Sequence, residues 1–157
     1  MIDPARHHAM VAGALAAELF PGARITFDPG LLHRLPELPA AGLVSIEPRG
    51  VELLGGGRAL IELELTLTVE TLDGEGAVWE LTARCAALWR RIQRAADEGL
   101  PYAYTHGGTE ISGHTGQEWL LLEGLEARYR RTPSAAPPRP AQHHATLGLT
   151  LAVVAPH

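Results

Sequence analysis

The residues that could do chemistry are few, and their spacing limits what they can do. His106 and His114 flank the stretch GGTEISG, with Glu110 between them. Two imidazoles and a carboxylate are zinc ligands by type. Their spacing fits no standard metal motif, and the intervening glycines give no rigid frame, so solvated loop histidines are the simpler reading. The pairs His7-His8 and His143-His144 are neighbours on the chain, and neighbours seldom face one ligand. Ser45, Ser112 and Ser134 are the only serines, and none lies in a G-x-S-x-G elbow. Gly55-Gly56-Gly57 lacks the Lys and Ser/Thr of a phosphate loop and precedes a strand, not a helix. The single cysteine, Cys85, allows no intramolecular disulfide and sits in an apolar helical stripe, the setting of an inert core thiol. No catalytic residue, metal ligand set or cofactor motif is assigned, and a small metal-dependent enzyme built on the His106–His114 loop remains the reading of last resort.

One stretch carries charge in a strict pattern. In IELELTLTVE (Ile61 to Glu70), Ile61, Leu63, Leu65, Leu67 and Val69 alternate with Glu62, Glu64, Thr66, Thr68 and Glu70. That is the period of a half-buried strand. Paired carboxylates can serve acid-base catalysis in glycosidases, but those sites need aromatic walls. This chain has only 3 Trp, 3 Tyr and 2 Phe. An acidic face turned to solvent or to another subunit is the better reading. Lumen-facing roles in an assembly are therefore expected for Glu62, Glu64 and Glu70.

The elements that position these residues are legible in outline. Asp3-Pro4 is a helix start, and Val11, Leu15 and Leu19 give that helix an apolar stripe. Ala23 to Phe27 reads as a short strand. Asp28 to Gly42 reads as a loop pinned by Leu32 and Leu35. Leu43–Glu47 and Val51–Leu54 read as short strands with Pro48 between them, so that the first is either cut there or lies at a sheet edge. The glycine turn leads into a strand from Leu60 to Leu72. Val78 to Glu98 is an amphipathic helix with Val78, Leu81, Cys85, Leu88, Trp89, Ile92 and Ala96 on one stripe, ended by Gly99. Trp79 and Trp89 default to core packing. Tyr102 to Gly116 is ambiguous. Gln117 to Arg131 reads as a strand, and its run WLLL implies burial on both faces. Thr132 to Gln142 is a Pro-rich loop, with Pro133, Pro137, Pro138, Arg139 and Pro140 expected to form an inter-subunit arm. Ala145 to Val154 is the last strand. The expected class is α+β: one domain over residues 1–157, a mainly antiparallel sheet, a short N-terminal helix and one long helix packed across the sheet.

Composition narrows the function classes. The chain has 157 residues and a formal charge of −5, which argues against a binder that works by neutralising phosphates. All 13 basic residues are arginine. The N-terminus lacks the layout of a signal peptide, and no apolar run is long enough to span a bilayer, so no membrane partner is expected.

The element order resembles that of phage tail terminator and tail-completion proteins. The similarity runs through Pro4 to Leu19, the PELPAAGLVSI segment from Pro36, the IELELTLTVE strand, the Val78 to Glu98 helix and the final TLGLTLAVV strand. The loop after Phe27 and the Pro-rich tip near Pro137 depart from that pattern. The resemblance implies a structural virion protein made in the host cytoplasm and placed at the head-proximal end of the tail. It implies a homo-oligomeric ring, hexameric by expectation, whose partners are tail-tube and head-connector proteins. DNA would pass through the lumen without specific binding. No cofactor is implied. The alternative within this class is another head-tail connector, a tail-tube subunit or the cap of a contractile injection system.

Overall fold

The computed structural model describes residues 3–71, 75–115, 119–121, 126–133 and 140–154. Its elements are helix α1 (Pro4–Leu19), strand β1 (Arg24–Thr26), a 3-10 turn (Pro29–His33), β2 (Leu43–Leu54), β3 (Arg58–Thr71), helix α2 (Glu75–Asp97), β4 (Pro101–His106), β5 (Thr109–His114), β6 (Leu120–Leu121), β7 (Glu126–Thr132) and β8 (Ala141–Val154). β1, β2, β3 and β8 are neighbours in that order, with β6 and β7 both on the far side of β8. β1 runs parallel to β2; the other pairs in this sheet are antiparallel. β4 and β5 form a separate hairpin. The class is α+β, as the sequence pattern implies.

Alternation in β3 sets the layers. Ile61, Leu63, Leu65, Leu67 and Val69 are all buried. Their neighbours on β8, Leu151, Leu149, Leu147 and Ala145, share that face and are buried too. Both helices lie on this side. α1 packs chiefly on β2 and α2 on β8, and the helices touch each other. The apolar face of the sheet is thus covered by both helices together. From α1 come Val11, Ala12, Leu15 and Ala16; from α2 come Leu81, Cys85, Leu88, Ile92 and Ala95.

Local chemistry explains the ends. The Asp3 carboxylate accepts from the Arg6 N–H at 3.0 Å, capping α1, and Pro4 takes the first helical position, where its missing N–H costs nothing. α2 closes where Gly99, at φ 78°, donates its N–H to the Arg94 carbonyl at 3.1 Å. Gly42, at φ 95°, begins the approach to β2; a Cβ there would lie 2.7 Å from the Thr68 carbonyl oxygen. Gly42 thus serves both a backbone conformation and a close approach.

Several expectations need correction. Pro48 does not cut β2 but lies on its edge stretch, where no described strand pairs on the outer side. The strand continues through it with a bulge between Pro48 and Gly50, which absorbs the missing donor. α2 begins earlier than expected, at Glu75. Val78, Trp79 and Trp89 are exposed, so the α2 stripe is narrower than its spacing implied and the tryptophans are not core. Ala95, not Ala96, is the fully buried alanine near its end. The loop after Phe27 is pinned by buried Leu38, while Leu32 and Leu35 are half-buried. The glycine-rich stretch from Tyr102 is a hairpin. The single strand expected over Gln117 to Arg131 is two strands, β6 and β7. Leu72 and most of the Pro-rich stretch lie outside the described residues. Among the described residues, no helix is long and apolar enough to cross a membrane.

The open polar face as candidate functional site

Among the described residues neither α1 nor α2 lies on the second face of the sheet, which is buried at Leu43, Thr68 and His144 and open at Glu62, and register fixes what it presents. Glu47 of β2 lies beside Glu64 of β3, which lies beside Gly148 of β8. The next row runs Ser45, Thr66, Thr146 and Arg128. Then come Thr68, His144 and Arg130, followed by Glu70, Gln142 and Thr132. Toward the β2–β3 tip, Glu62 pairs with Thr150 and with Gly50. Carboxylates thus collect on β2 and β3, while β7 carries two arginines, Arg128 and Arg130, beside Glu126.

Two like charges side by side on paired strands repel. The bulge resolves this for Glu47 and Glu64 by aiming Arg49 between them. Arg49 Nε donates to Glu64 Oε2 and Nη2 to Oε1, both at 2.8 Å, and Nη2 lies 3.5 Å from Glu47 Oε2. This two-pronged geometry is the favoured one for guanidinium and carboxylate. The Glu64 carboxylate holds the Arg49 pKa above its usual value.

Further along, the face becomes a buried network. Thr66 and Thr146 hydroxyls are 3.2 Å apart. His144 sits between two hydroxyls, with Thr68 at 2.9 Å from Nδ1 and Thr132 at 3.0 Å from Nε2, so its ring ties β3 and β7 to β8. Burial lowers the His144 pKa to about 4, helped by the charges of Arg130, His143 and His33. Glu70 accepts from the Gln142 amide at 3.2 Å.

The three glutamates expected on an acidic face all lie on it, but they differ. Glu62 is exposed, Glu64 is bound by Arg49, and Glu70 is half-buried and hydrogen-bonded. The stretch Ile61 to Glu70 holds no arginine, yet Glu64 is paired, because Arg49 arrives from β2. A groove of about 610 Å³ crosses the face, bordered by Arg49, Glu64, Thr66, Thr146, Arg128 and Arg130. Arg128 and Arg130 were visible in the sequence as the polar half of LEARYR. Nothing local, however, reveals that β7 flanks β8 and so shares a face with β3.

The histidines separate rather than converge. His106 pairs with Thr109 at the hairpin tip, whereas His114 pairs with Pro101 at its root. Five residues of strand put them about 16 Å apart. Glu110 pairs with Thr105, on the face opposite His106. Among the described residues no group of three or more His, Cys, Asp and Glu side chains could hold a metal ion. His143 lies on the helix side of β8, opposite its neighbour His144.

His7 and His8 touch edge to face, with ring centroids 4.9 Å apart, but bind different partners. His7 Nδ1 lies 2.6 Å from the Tyr104 hydroxyl, while His8 Nδ1 accepts from the Trp119 indole at 3.0 Å. Burial, followed by the charge of His7, lowers the His8 pKa to about 4. These contacts fasten the β4–β5 hairpin and Trp119 to α1. Cys85 is buried, its thiol pKa is raised by burial, and it hydrogen-bonds Tyr129 of β7. Of the expected arm, Pro133 is exposed and Pro140 half-buried, while Pro137, Pro138 and Arg139 lie outside the described residues.

No protein-family model matches this chain, and no curated protein does.

Proposed function

We propose that this chain is a ring-forming structural subunit of a phage tail, of the terminator or tail-completion kind, and not an enzyme. One observation carries the reading: among the described residues both α-helices cover one face of the sheet, the other face is open over much of its length, and large apolar side chains stand in solvent at two separate places. Val51, Leu53 and Leu54 are 51%, 79% and 39% exposed near the β2–β3 tip, and Val78, Trp79 and Trp89 are exposed on α2. Clusters of this kind mark association surfaces. A head-to-tail ring uses two different surfaces of one subunit, unlike a two-fold dimer.

In this reading the open polar face lines the lumen. Glu62 stands free toward it, and Glu47 and Glu64 share one guanidinium, so carboxylate outnumbers cation on the β2–β3 half. Repeated around a ring, that half repels a passing DNA duplex at close approach. Arg128 and Arg130 share the face, so the lining is divided by sign and not uniformly acidic. The tail-tube and head-connector proteins are the partners, and the expected particle is a hexamer.

Electron micrographs of the purified protein, with its mass from light scattering, test this. Rings of about six subunits are expected. Replacing Glu62, Glu64 and Glu70 together by arginine should leave assembly intact and make the particle retain DNA. A chain that stays monomeric at every concentration, or rings whose β3 glutamates face outward, would overturn the reading.

A further inference from the structure

The main sheet ends in two open strand edges. β1 pairs with β2 only across Leu43, Val44 and Ser45. From Ile46 to Leu54 no described strand lies on the outer side of β2. At the other end β7 pairs inward with β8, and no described strand lies beyond it. Open edges of this length are templates for pairing with another chain. Pro48 and its bulge protect one edge only in part.

The edges are complementary on both faces. On the open side, β2 presents Glu47 and Glu52, and β7 carries Arg128 and Arg130 with Glu126 at its start, a net positive strand. On the helix side, β2 presents Val51 and Leu53, and β7 presents Tyr129, which is 53% exposed. Beside the β2 edge lies a groove of about 400 Å³ whose walls include Met10, Phe27, Ile46 and Pro48, an apolar seat next to the strand. Self-pairing of the β2 edge would set Glu47 and Glu52 against their own copies, which is unfavourable.

We infer that the β2 edge of one copy pairs with the β7 edge of a second copy, so that the sheet continues from subunit to subunit. The two edges differ, so the contact is head-to-tail and repeats until it closes. Val51 and Leu53 are then covered beside Tyr129, and Glu47 and Glu52 meet Arg128 and Arg130. The inference rests on the ring reading but fixes which surfaces meet.

Two charge-reversed chains test it. One carries Glu47→Arg with Glu52→Arg, the other Arg128→Glu with Arg130→Glu. Each alone has two edges of the same sign and should sediment as a monomer where the unaltered chain assembles, with association weakened at least tenfold. Mixed in equal amounts they should assemble again, alternating around the ring, because each reversed edge then meets its opposite. Circular dichroism checks that both are folded. Leu53→Asp gives an independent arm, since this side chain is largely in solvent in the subunit and its change should weaken assembly alone. If the unaltered chain is monomeric, the ring reading fails and this contact with it. If it assembles and either folded reversed chain assembles equally well, or the mixture of the two stays monomeric, or Leu53→Asp assembles as well as the unaltered chain, edge pairing fails while the ring reading stands.

Discussion

The indole N–H of Trp119 donates to Nδ1 of His8 at 3.0 Å, joining a residue before β6 to the first helix through a fully buried contact. An imidazole accepting at Nδ1 has no room there for a second proton, and burial alone already disfavours the charged ring. His144 differs: its two threonine hydroxyls can donate or accept, and it is burial, with the charges of Arg130, His143 and His33, that disfavours its charged form.

Both rings make stability depend on pH. Their folded pKa values are about 4, against 6.5 in the unfolded chain. Above pH 6.5 both states are neutral and the full stability is present. Between pH 6.5 and 4 the unfolded chain binds more protons, so stability falls as pH falls, and below about 4 this contribution is flat. The loss should be on the order of 2–3 kcal/mol for each fully buried ring. Urea unfolding midpoints measured from pH 7 to 4 check this. His8→Gln and His144→Gln should each flatten part of the slope, and an unchanged slope in both would refute the assignment.

Thr115 closes the junction between α2 and β4. Its buried hydroxyl donates to the Ala95 carbonyl at 2.5 Å and accepts from the Leu100 N–H at 2.8 Å. Thr115→Val keeps the shape and removes both bonds. A loss of about 1–3 kcal/mol is expected from the stranded backbone groups, read from chemical denaturation, whereas Thr115→Ser should lose less.

Leu65 lies at the centre of β3 and is fully buried between the two helices' side chains. Leu65→Asp places a charge there without a partner and should cost several kcal/mol, enough to unfold a marginal domain. Leu65→Ala should cost about 2–5 kcal/mol through the cavity. A thermal melt of either variant identical to the unaltered protein would contradict the register of β3.

The Pro-rich connection between β7 and β8 is expected to matter for assembly and not for folding. Its ends are already held by the Thr132–Gln142 pair. Replacing residues 134–140 by two glycines should leave melting nearly unchanged and reduce particle yield. Full-size rings in normal yield would remove this arm from the mechanism.

Periodicity made the class and the strongest elements readable. β3 announced itself because every odd position is apolar, and α1 because Asp3 and Pro4 mark its start. Where the sequence misled, tertiary context overrode a local rule. Of the two readings of Pro48, a break and an edge, the break fails, because a bulge lets β2 pass through it. Trp79 and Trp89 read as core by type, yet α2 turns them outward because Leu81, Cys85, Leu88 and Ile92 already fill the space above β8. The polar face was half legible. Its acidic side lies on one strand and shows as a pattern. Its basic side, and the Arg49 bridge, depend on which strands become neighbours, which no local signal records.

Cys85 has a practical consequence. The chain offers one thiol, it is buried, and its hydrogen-bond partner Tyr129 belongs to the outermost strand. Thiols react as thiolates and only when reached, so a disulfide reagent added to the native protein has a single target, and its rate meters how often α2 and β7 part. That turns a buried thiol into a clock for local opening. Its ticking should slow as protein concentration rises if a neighbouring copy clamps β7, and should ignore concentration if it does not.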